Sequence, residues 1–240
     1  MPVCISCGSE VPSLYTIYGL KRDGKASAIK RTHCSLCGSF ADRYIENELL
    51  IVLIDMILLK PEAYRHLLFN RIRYENQGWN TDLLKFGVVL ILFEVYVKWY
   101  NLQHRLPLEY TAHELAREYA YMIFICASEI LLFHCAVRSS VYLIYRCPTP
   151  TLNRINVGIV ACSMGKLMLI PMAVWNYNSF YVSWTISLFV MLSQSEGLAV
   201  LLNEHKPRSV IPIVAAGMLC RIALQLLWIR WDPRMALLPL

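Results

Sequence analysis

From residue 83 onward, the chain alternates long apolar runs with short polar links. The runs cover residues 83–100, 119–137, 156–175, 181–202 and 209–231. Each run is close to the about 20 residues that a helix needs to cross a bilayer. We therefore predict a bundle of about five membrane-spanning helices over residues 81–240. The polar run Ser-Gln-Ser-Glu-Gly at 193–197 interrupts the fourth span, so four or six spans remain as alternatives.

Residues 45–80 carry a shorter apolar pattern. The run at 49–59 is too short for a bilayer core of roughly 30 Å, and Asp55 interrupts it. This pattern predicts a helix that lies in the membrane interface or is buried against other helices. Pro61 is suited to begin a second helix, over residues 62–73. That helix supplies basic candidates for contact with anionic lipid head groups: Arg65, His66, Arg71 and Arg73.

Residues 1–44 have a different pattern, of two short strands with one cysteine pair before the first strand and the other after the second. The strand patterns lie at residues 14–18 and 28–32, with a turn-rich link at 22–25. The CxxC motif occurs twice, at Cys4 and Cys7 and again at Cys34 and Cys37, and a glycine follows each pair. Two CxxC turns can close a tetrahedral four-sulfur shell around zinc. We predict a zinc ribbon with a structural zinc ion. A pair of disulfides and a redox CxxC are the alternatives.

The link between the two cysteine pairs is basic. A nucleic-acid patch and a solvated basic face near an anionic membrane both fit this composition. The apolar pattern of the rest of the chain favours the membrane face, so we expect no nucleic-acid partner. The basic residues are Lys21, Arg22, Lys25, Lys30 and Arg31.

Composition supports a membrane protein. Hydrophobic residues make up 57% of the chain and charged residues 17%, with a mean hydropathy of +0.43. This excludes an ordinary soluble domain. Together, the patterns predict an all-α polytopic membrane protein with a small N-terminal zinc-ribbon domain. The five cysteines outside the two pairs lie in apolar stretches and are expected to be buried hydrophobic side chains: Cys126, Cys135, Cys147, Cys162 and Cys220.

Ionisable residues inside the predicted spans are the other candidates for function. Each costs about 2.5–3.5 kcal/mol near the bilayer centre, so we expect them to face the bundle interior or one another. We predict pairs between Lys166 and Glu129 and between Arg221 and Glu196. A lipid head-group site and purely structural pairing are both open interpretations. The residues concerned are Glu94, Glu129, Lys166, Glu196 and Arg221.

No nucleophile, paired-acid or metalloprotease motif accompanies these residues. An enzyme would have to use Glu129, Glu196 or His134 as acid or base. We interpret His66 as a surface or interface side chain rather than a catalytic one. The sequence thus assigns no catalytic residue.

The N-terminal third resembles a known family of membrane proteins. The two CxxC pairs are followed by Ala-Asp-Arg-Tyr-Ile-Glu at 41–46 and by Ile-Asp at 54–55. Lys-Pro-Glu-Ala-Tyr-Arg-His-Leu-Leu-Phe-Asn then covers residues 60–70. This combination resembles the ARV family of sterol-homeostasis membrane proteins over about residues 4–73. The spacer between the pairs is longer here, with residues 20–27 looking like an insertion.

The resemblance implies residence in the endoplasmic reticulum membrane, with the Golgi membrane as a second location. It implies a role in intracellular sterol transport and in sterol and sphingolipid balance. It also implies support of glycosylphosphatidylinositol (GPI) anchor assembly, with membrane lipids and GPI-biosynthesis enzymes as partners. A scaffold that recruits such enzymes is the alternative function, and a lipid-modifying enzyme is a third.

Charges in the links predict the orientation of the spans. Arg138, Arg146 and Arg154 lie between the second and third spans, with no acidic residue among them. Lys206 and Arg208 lie between the fourth and fifth spans, whereas the link at 176–180 has no charge. The positive-inside rule then places the N-terminal domain and the two basic links in the cytosol. Thiolates that bind zinc also suit a reducing compartment.

This orientation can be tested with introduced glycosylation acceptors. An acceptor placed near Thr149 should stay unmodified, because that link is predicted to be cytosolic. An acceptor near Asn178 should be modified, because that link is predicted to face the lumen. A gel-shift assay in microsomes reads both outcomes. The reverse pattern would contradict the orientation.

Overall fold

The N-terminal part of the chain is a two-stranded hairpin held between two cysteine turns. The computed structural model describes residues 2–20, 26–75, 77–105, 111–169, 180–204 and 207–232. Strands β1 (Tyr15–Leu20) and β2 (Ala26–Arg31) pair antiparallel, with Tyr15 opposite Arg31. This confirms the predicted hairpin. The basic link at residues 21–25 lies outside the described residues.

Two short helices follow the hairpin. Helix α1 spans Leu49–Ile57 and ends where Leu59 adopts a positive φ of 54°. Helix α2 spans Pro61–Arg65, with the proline in the first turn, where its missing N–H costs nothing. A π-helical turn over His66–Arg71 continues α2. The prediction that Pro61 begins a second helix is therefore confirmed.

The rest of the described chain is helical. Helices α3 (Thr81–Arg105) and α4 (Ala112–Tyr145) come first, and Thr111 and Glu114 form a reciprocal N-terminal cap on α4. Helix α5 (Thr149–Cys162) runs directly into a 3₁₀ segment, Ser163–Met168. Helix α6 (Phe180–Leu201) follows, and a short 3₁₀ turn, Pro207–Ser209, precedes α7 (Ile211–Trp231).

Among the described residues, three helices are long and apolar enough to cross a membrane. They cover His113–Tyr145, Tyr181–Leu201 and Ile211–Trp231, matching the second, fourth and fifth predicted spans. This indicates a multi-pass membrane protein. The first predicted span lies within α3, whose 25 residues have the required length but include Glu94 and Lys98. The third predicted span extends into residues 170–179, outside the described part. These two spans stay predictions.

The helices pack closely around small residues. Helix α4 lies against α7, and α5 lies against α6. At Gly217 on α7, an added Cβ would lie 2.8 Å from Val137 Cγ2 and 3.0 Å from the ring of Phe133, both on α4. Only glycine permits this approach, and close contact is what holds helices together in lipid.

The N-terminal unit docks on the bundle through a shared apolar core. We call the described part of residues 2–44 the head. From the head, Ile5 and Tyr44 are buried in one cluster with Val52 of α1 and Tyr64 of α2. The same cluster includes side chains from α5 and α6: Ala161, Cys162 and Val200. The head is therefore packed against the membrane helices rather than tethered to them.

Hydrogen bonds also hold the head on the helical segment 61–71. Asn70 accepts a hydrogen bond from the Val3 N–H at 2.9 Å and donates to the Val3 carbonyl at 3.0 Å. Asn70 Nδ2 also lies 2.7 Å from Asp42 Oδ2. Arg65 donates to the carbonyl oxygens of Ile5, at 2.8 Å, and Ser6, at 3.0 Å. The second helix thus forms hydrogen bonds with the backbone of the first cysteine turn.

Replacing Asn70→Ala should loosen the head from the bundle. The change removes one hydrogen bond to a buried carboxylate and two to the backbone of Val3, which we expect to cost about 2–3 kcal/mol. Limited proteolysis of the protein in nanodiscs should then cut the chain faster around residues 43–48. Asn47→Ala is the control, because Asn47 is exposed. Equal cleavage of the two variants would contradict this role for Asn70.

Candidate functional site

Four cysteine sulfurs converge in the head. The Sγ atoms of Cys4, Cys7, Cys34 and Cys37 all lie within 4.8 Å of one another. The distance is 3.7 Å between Cys4 and Cys37, and 3.7 Å between Cys7 and Cys34. Sulfurs around a tetrahedral zinc ion, with bonds of about 2.3 Å, are separated by about 3.8 Å. The cluster therefore has the size and donor set of a four-sulfur metal site. All nine cysteines are free, so the cluster is not a pair of disulfides.

The two cysteine turns have the same backbone geometry. The Gly8 N–H donates to the Cys4 carbonyl at 2.8 Å, and the Gly38 N–H donates to the Cys34 carbonyl at 3.0 Å. Gly8 and Gly38 have φ angles of 79° and 71°. A residue with a Cβ adopts this conformation only at a cost, so the glycine after each pair is what allows the turn.

The four thiols differ in their surroundings. Ser9 Oγ lies 3.0 Å from Cys7 Sγ and 3.3 Å from Cys34 Sγ. These hydrogen bonds lower the pKa of both thiols and favour the thiolate form that binds metals. Burial raises the pKa of Cys4 to about 12. A bound cation would reverse that effect, because it stabilises the thiolate.

The four residues predicted to contact lipid head groups lie in different surroundings. Arg65 is used inside the protein, where it binds the first cysteine turn. His66 is 3% exposed, so the prediction of a surface or interface side chain is wrong. Arg71 and Arg73 are exposed, and their contact with head groups stays a prediction.

His66 belongs to a buried polar network under the head. Its Nδ1 lies 2.7 Å from Asp42 Oδ2, and since a carboxylate accepts, the imidazole donates. Asp42 also accepts from Asn70 and, at 2.9 Å, from the Tyr44 N–H. Burial alone would raise the pKa of Asp42, but the bonds from His66 and Asn70 outweigh it and lower that pKa. The network ties the chain after the second cysteine turn to α2.

A cluster of five charged side chains lies inside the helical bundle. Lys98 Nζ is 2.9 Å and 3.0 Å from the two carboxylate oxygens of Glu129. Lys166 Nζ is 2.9 Å from Glu94 Oε2. The guanidinium of Arg221 bonds to Glu94 and lies 3.2 Å from Glu129 Oε2. We call these five residues the charge cluster. Helices α3, α4 and α7 and the 3₁₀ segment each contribute to it.

The predicted pairings of these residues are wrong. Lys166 pairs with Glu94 rather than Glu129, and Arg221 pairs with Glu94 and Glu129 rather than Glu196. Glu196 is half-buried near the head, within electrostatic range of Arg65. Four of the five predicted intramembrane candidates are thus brought together, and Glu196 is not with them.

Sequence reasoning missed two members of this region. Lys98 lies four residues after Glu94 on α3, and Gln225 lies four residues after Arg221 on α7. That spacing places each pair on one helix face, which was the available signal. Gln225 Nε2 donates to Glu129 Oε2 at 2.9 Å.

Two cavities flank the 3₁₀ segment Ser163–Met168. One, of about 50 Å³, is lined by Glu94, Lys98, Lys166 and Arg221 together with Ser183 and Ser187 of α6. The other, of about 290 Å³, is apolar and lies between α1, the 3₁₀ segment and α6. Its lining includes Leu53, Met56, Ile57, Met164, Met168 and Phe189. Concave, mostly apolar spaces of this size are typical of small-molecule sites.

Known proteins resemble this chain along most of its length. The Arv1-like family model matches residues 3–198. The chain is 31% identical to the arv1 homolog of Dictyostelium discoideum, over 98% of each chain. It is 27% identical to arv1 of Schizosaccharomyces pombe, over 91% of this chain and 82% of that one. It is 27% identical to human ARV1, over 90% and 78%. No solved structure matches it.

The match covers the four-cysteine head, the helices docked on it and most of the helical bundle. This chain therefore belongs to the Arv1-like family.

Proposed function

We propose that this protein takes up sterols in the endoplasmic reticulum membrane, supports their movement between membranes, and so maintains sterol and sphingolipid balance. The observation that carries the proposal is the apolar cavity of about 290 Å³ between α1 and the bundle. A sterol is a mostly apolar body with one hydroxyl, and such a body suits an apolar wall with few polar groups. Ser193 is the hydroxyl in that wall.

Helix α1 connects this cavity with the lipid. It buries Val52 and Met56 against the head and bundle. Its other side exposes apolar side chains, with Leu50 62% and Ile54 48% exposed. An exposed apolar face on a short helix suits the boundary between head groups and acyl chains. A lipid in that boundary has a short path to the cavity, because α1 forms one of its walls.

The head supports this arrangement as a structural metal domain. We propose zinc for the four-sulfur cluster, because four thiolates at this spacing leave no position open for a substrate. The metal would hold the first cysteine turn, and with it Ile5, against Tyr64 and the helices beneath. On this proposal the head faces the cytosol, and the protein resides in the endoplasmic reticulum, with the Golgi membrane as a second location.

A scaffold for GPI-biosynthesis enzymes is the second candidate, and the exposed apolar face of α1 also suits protein contacts. We do not propose an enzyme, because the carboxylate of Glu129 already accepts hydrogen bonds from Lys98, Arg221 and Gln225. The test below separates the two candidates: a transporter loses sterol transfer when its cavity is filled, whereas a scaffold does not depend on the cavity.

Filling the cavity should block sterol transfer. Leu53→Trp places an indole in the apolar space that the sterol would occupy, and a loss of about 1.4 kcal/mol of sterol binding should reduce transfer about tenfold. The measurement is sterol transfer between vesicles by the purified, reconstituted protein. Leu50→Trp is the matched control on the same helix, because Leu50 faces outward and tryptophan is tolerated in the interface. Equal transfer by the two variants, or none by the wild type, would count against a transport role.

Removing one sulfur should release the metal. Cys34→Ser leaves three thiolates, and structural zinc contributes on the order of 10–16 kcal/mol to such a fold, so the head should unfold. Metal analysis should give one zinc per wild-type chain and none for the variant. Cys220→Ser should keep the metal, because this cysteine lies on α7, where it is exposed rather than buried as the sequence predicted. Absence of zinc from the wild-type protein would contradict the assignment of the four-cysteine cluster as a zinc site.

A further inference from the structure

The positive and negative charges of the charge cluster are not equal in number. Its described members are three cations, Lys98, Lys166 and Arg221, and two carboxylates, Glu94 and Glu129. Among the described residues, Cys126 and His134 also interact electrostatically with these cations, and neither is a carboxylate. The cluster therefore holds one surplus positive charge.

The surplus can be assigned to Arg221. Each carboxylate has its own lysine, with Lys98 on Glu129 and Lys166 on Glu94. Arg221 bridges the two pairs and adds a third cation to two anions that are already neutralised. Without Arg221, the cluster would consist of two closed ion pairs.

A surplus charge at this place is costly. The side chains of the cluster are at most 15% exposed. Helices α4 and α7, which contribute Glu129 and Arg221, are both candidate membrane spans. A charged side chain within a span costs about 2.5–3.5 kcal/mol unless a counter-charge or water compensates it. A single negative charge from outside the chain would compensate it fully.

The structure has space for such a group beside the surplus. The cavity of about 50 Å³ is lined by all three cations, by Glu94, which is already paired with Lys166 and Arg221, and by the hydroxyl side chains of Ser183 and Ser187. A water molecule needs about 10–15 Å³ by the same measure, so the space can hold one small polyatomic group. Guanidinium and ammonium donors with nearby hydroxyls are the usual partners of phosphate oxygens.

We propose that this cavity binds one singly charged phosphate group, held by Arg221, Lys98 and Lys166. A phosphodiester carries one negative charge and so matches the surplus of one. An anionic membrane lipid and free inorganic phosphate are the two sources of that chemistry. A zwitterionic lipid is disfavoured, because its ammonium group would bring a positive charge back into the cluster.

This site is separate from the apolar cavity of the proposed function. The 3₁₀ segment Ser163–Met168 lies between them, with Lys166 on the charged side and Met164 and Met168 on the apolar side. Loss of phosphate binding would leave the sterol proposal standing, and loss of sterol transfer by Leu53→Trp would leave this one standing. The two experiments therefore fail independently.

The test is retention of lipid by the purified protein. Protein from nanodiscs of phosphatidylcholine with phosphatidylglycerol is moved into detergent, and bound lipids are identified by native mass spectrometry. We expect one phosphatidylglycerol per chain. Arg221→Gln removes the surplus but leaves both lysine–glutamate pairs, and should weaken binding about tenfold to hundredfold. Arg230→Gln, at an exposed arginine of the same helix, is the charge-matched control and should bind as the wild type does.

A second variant keeps every native ion pair. Ser187→Asp places a carboxylate on the cavity wall, where it supplies the missing negative charge, so it should also displace phosphatidylglycerol. Ser187→Ala, which adds no charge, should retain it. This pair decides the matter if Arg221→Gln fails to fold.

A parallel titration with inorganic phosphate separates the two sources. Competition by phosphate against bound phosphatidylglycerol shows that the site recognises the phosphate itself. Binding of inorganic phosphate without retention of the lipid assigns the site to the free ion. Binding of neither probe, equal binding of phosphatidylcholine, or unchanged binding by both Arg221→Gln and Ser187→Asp would overturn the proposal.

Discussion

The packing of Ile5 into the core beneath the head is the contact on which the arrangement depends. Ile5 lies between Cys4 and Cys7, and it is buried with Tyr64 and Leu68 of the second helical segment. The head itself has a small core, of Cys4, Val11, Cys34 and Ala41, with Leu14 packed against it. So small a core stabilises little by burial alone. The sulfur cluster sets the backbone of the first turn, and that backbone both projects Ile5 and presents the carbonyls that Arg65 binds.

The 3₁₀ segment Ser163–Met168 has a comparable role inside the bundle. It replaces the regular end of α5 and lies between an apolar cavity and a charged one. Its tighter winding sends neighbouring side chains to different sides, so Lys166 reaches Glu94 while Met164 and Met168 line the apolar wall. An apolar cavity and a cationic one thereby lie next to each other, an arrangement that suits amphipathic lipids.

Much of the candidate site could be predicted from local patterns. The spacing of the CxxC pairs with their glycines predicts a four-sulfur cluster, because a metal site of this kind is built from two tight turns. The strand pattern predicts the hairpin, and the apolar runs predict the three long spans that the structure confirms. Apolar periodicity did not predict the burial of His66, because its partner Asp42 lies 24 residues away in sequence.

By itself, the sequence determined which four cysteines form the sulfur cluster, the order of the elements and the presence of charges within apolar helices. These depend on spacing along one segment. Only the tertiary structure decided which charges meet, because that depends on the rotation of each helix against its neighbours. Glu94 pairs with Lys166 and Arg221 for this reason, whereas Glu196 lies near the head with Arg65. The surplus charge at Arg221 likewise follows from packing: burial in lipid forces every ionisable side chain to face whichever partner the fold supplies.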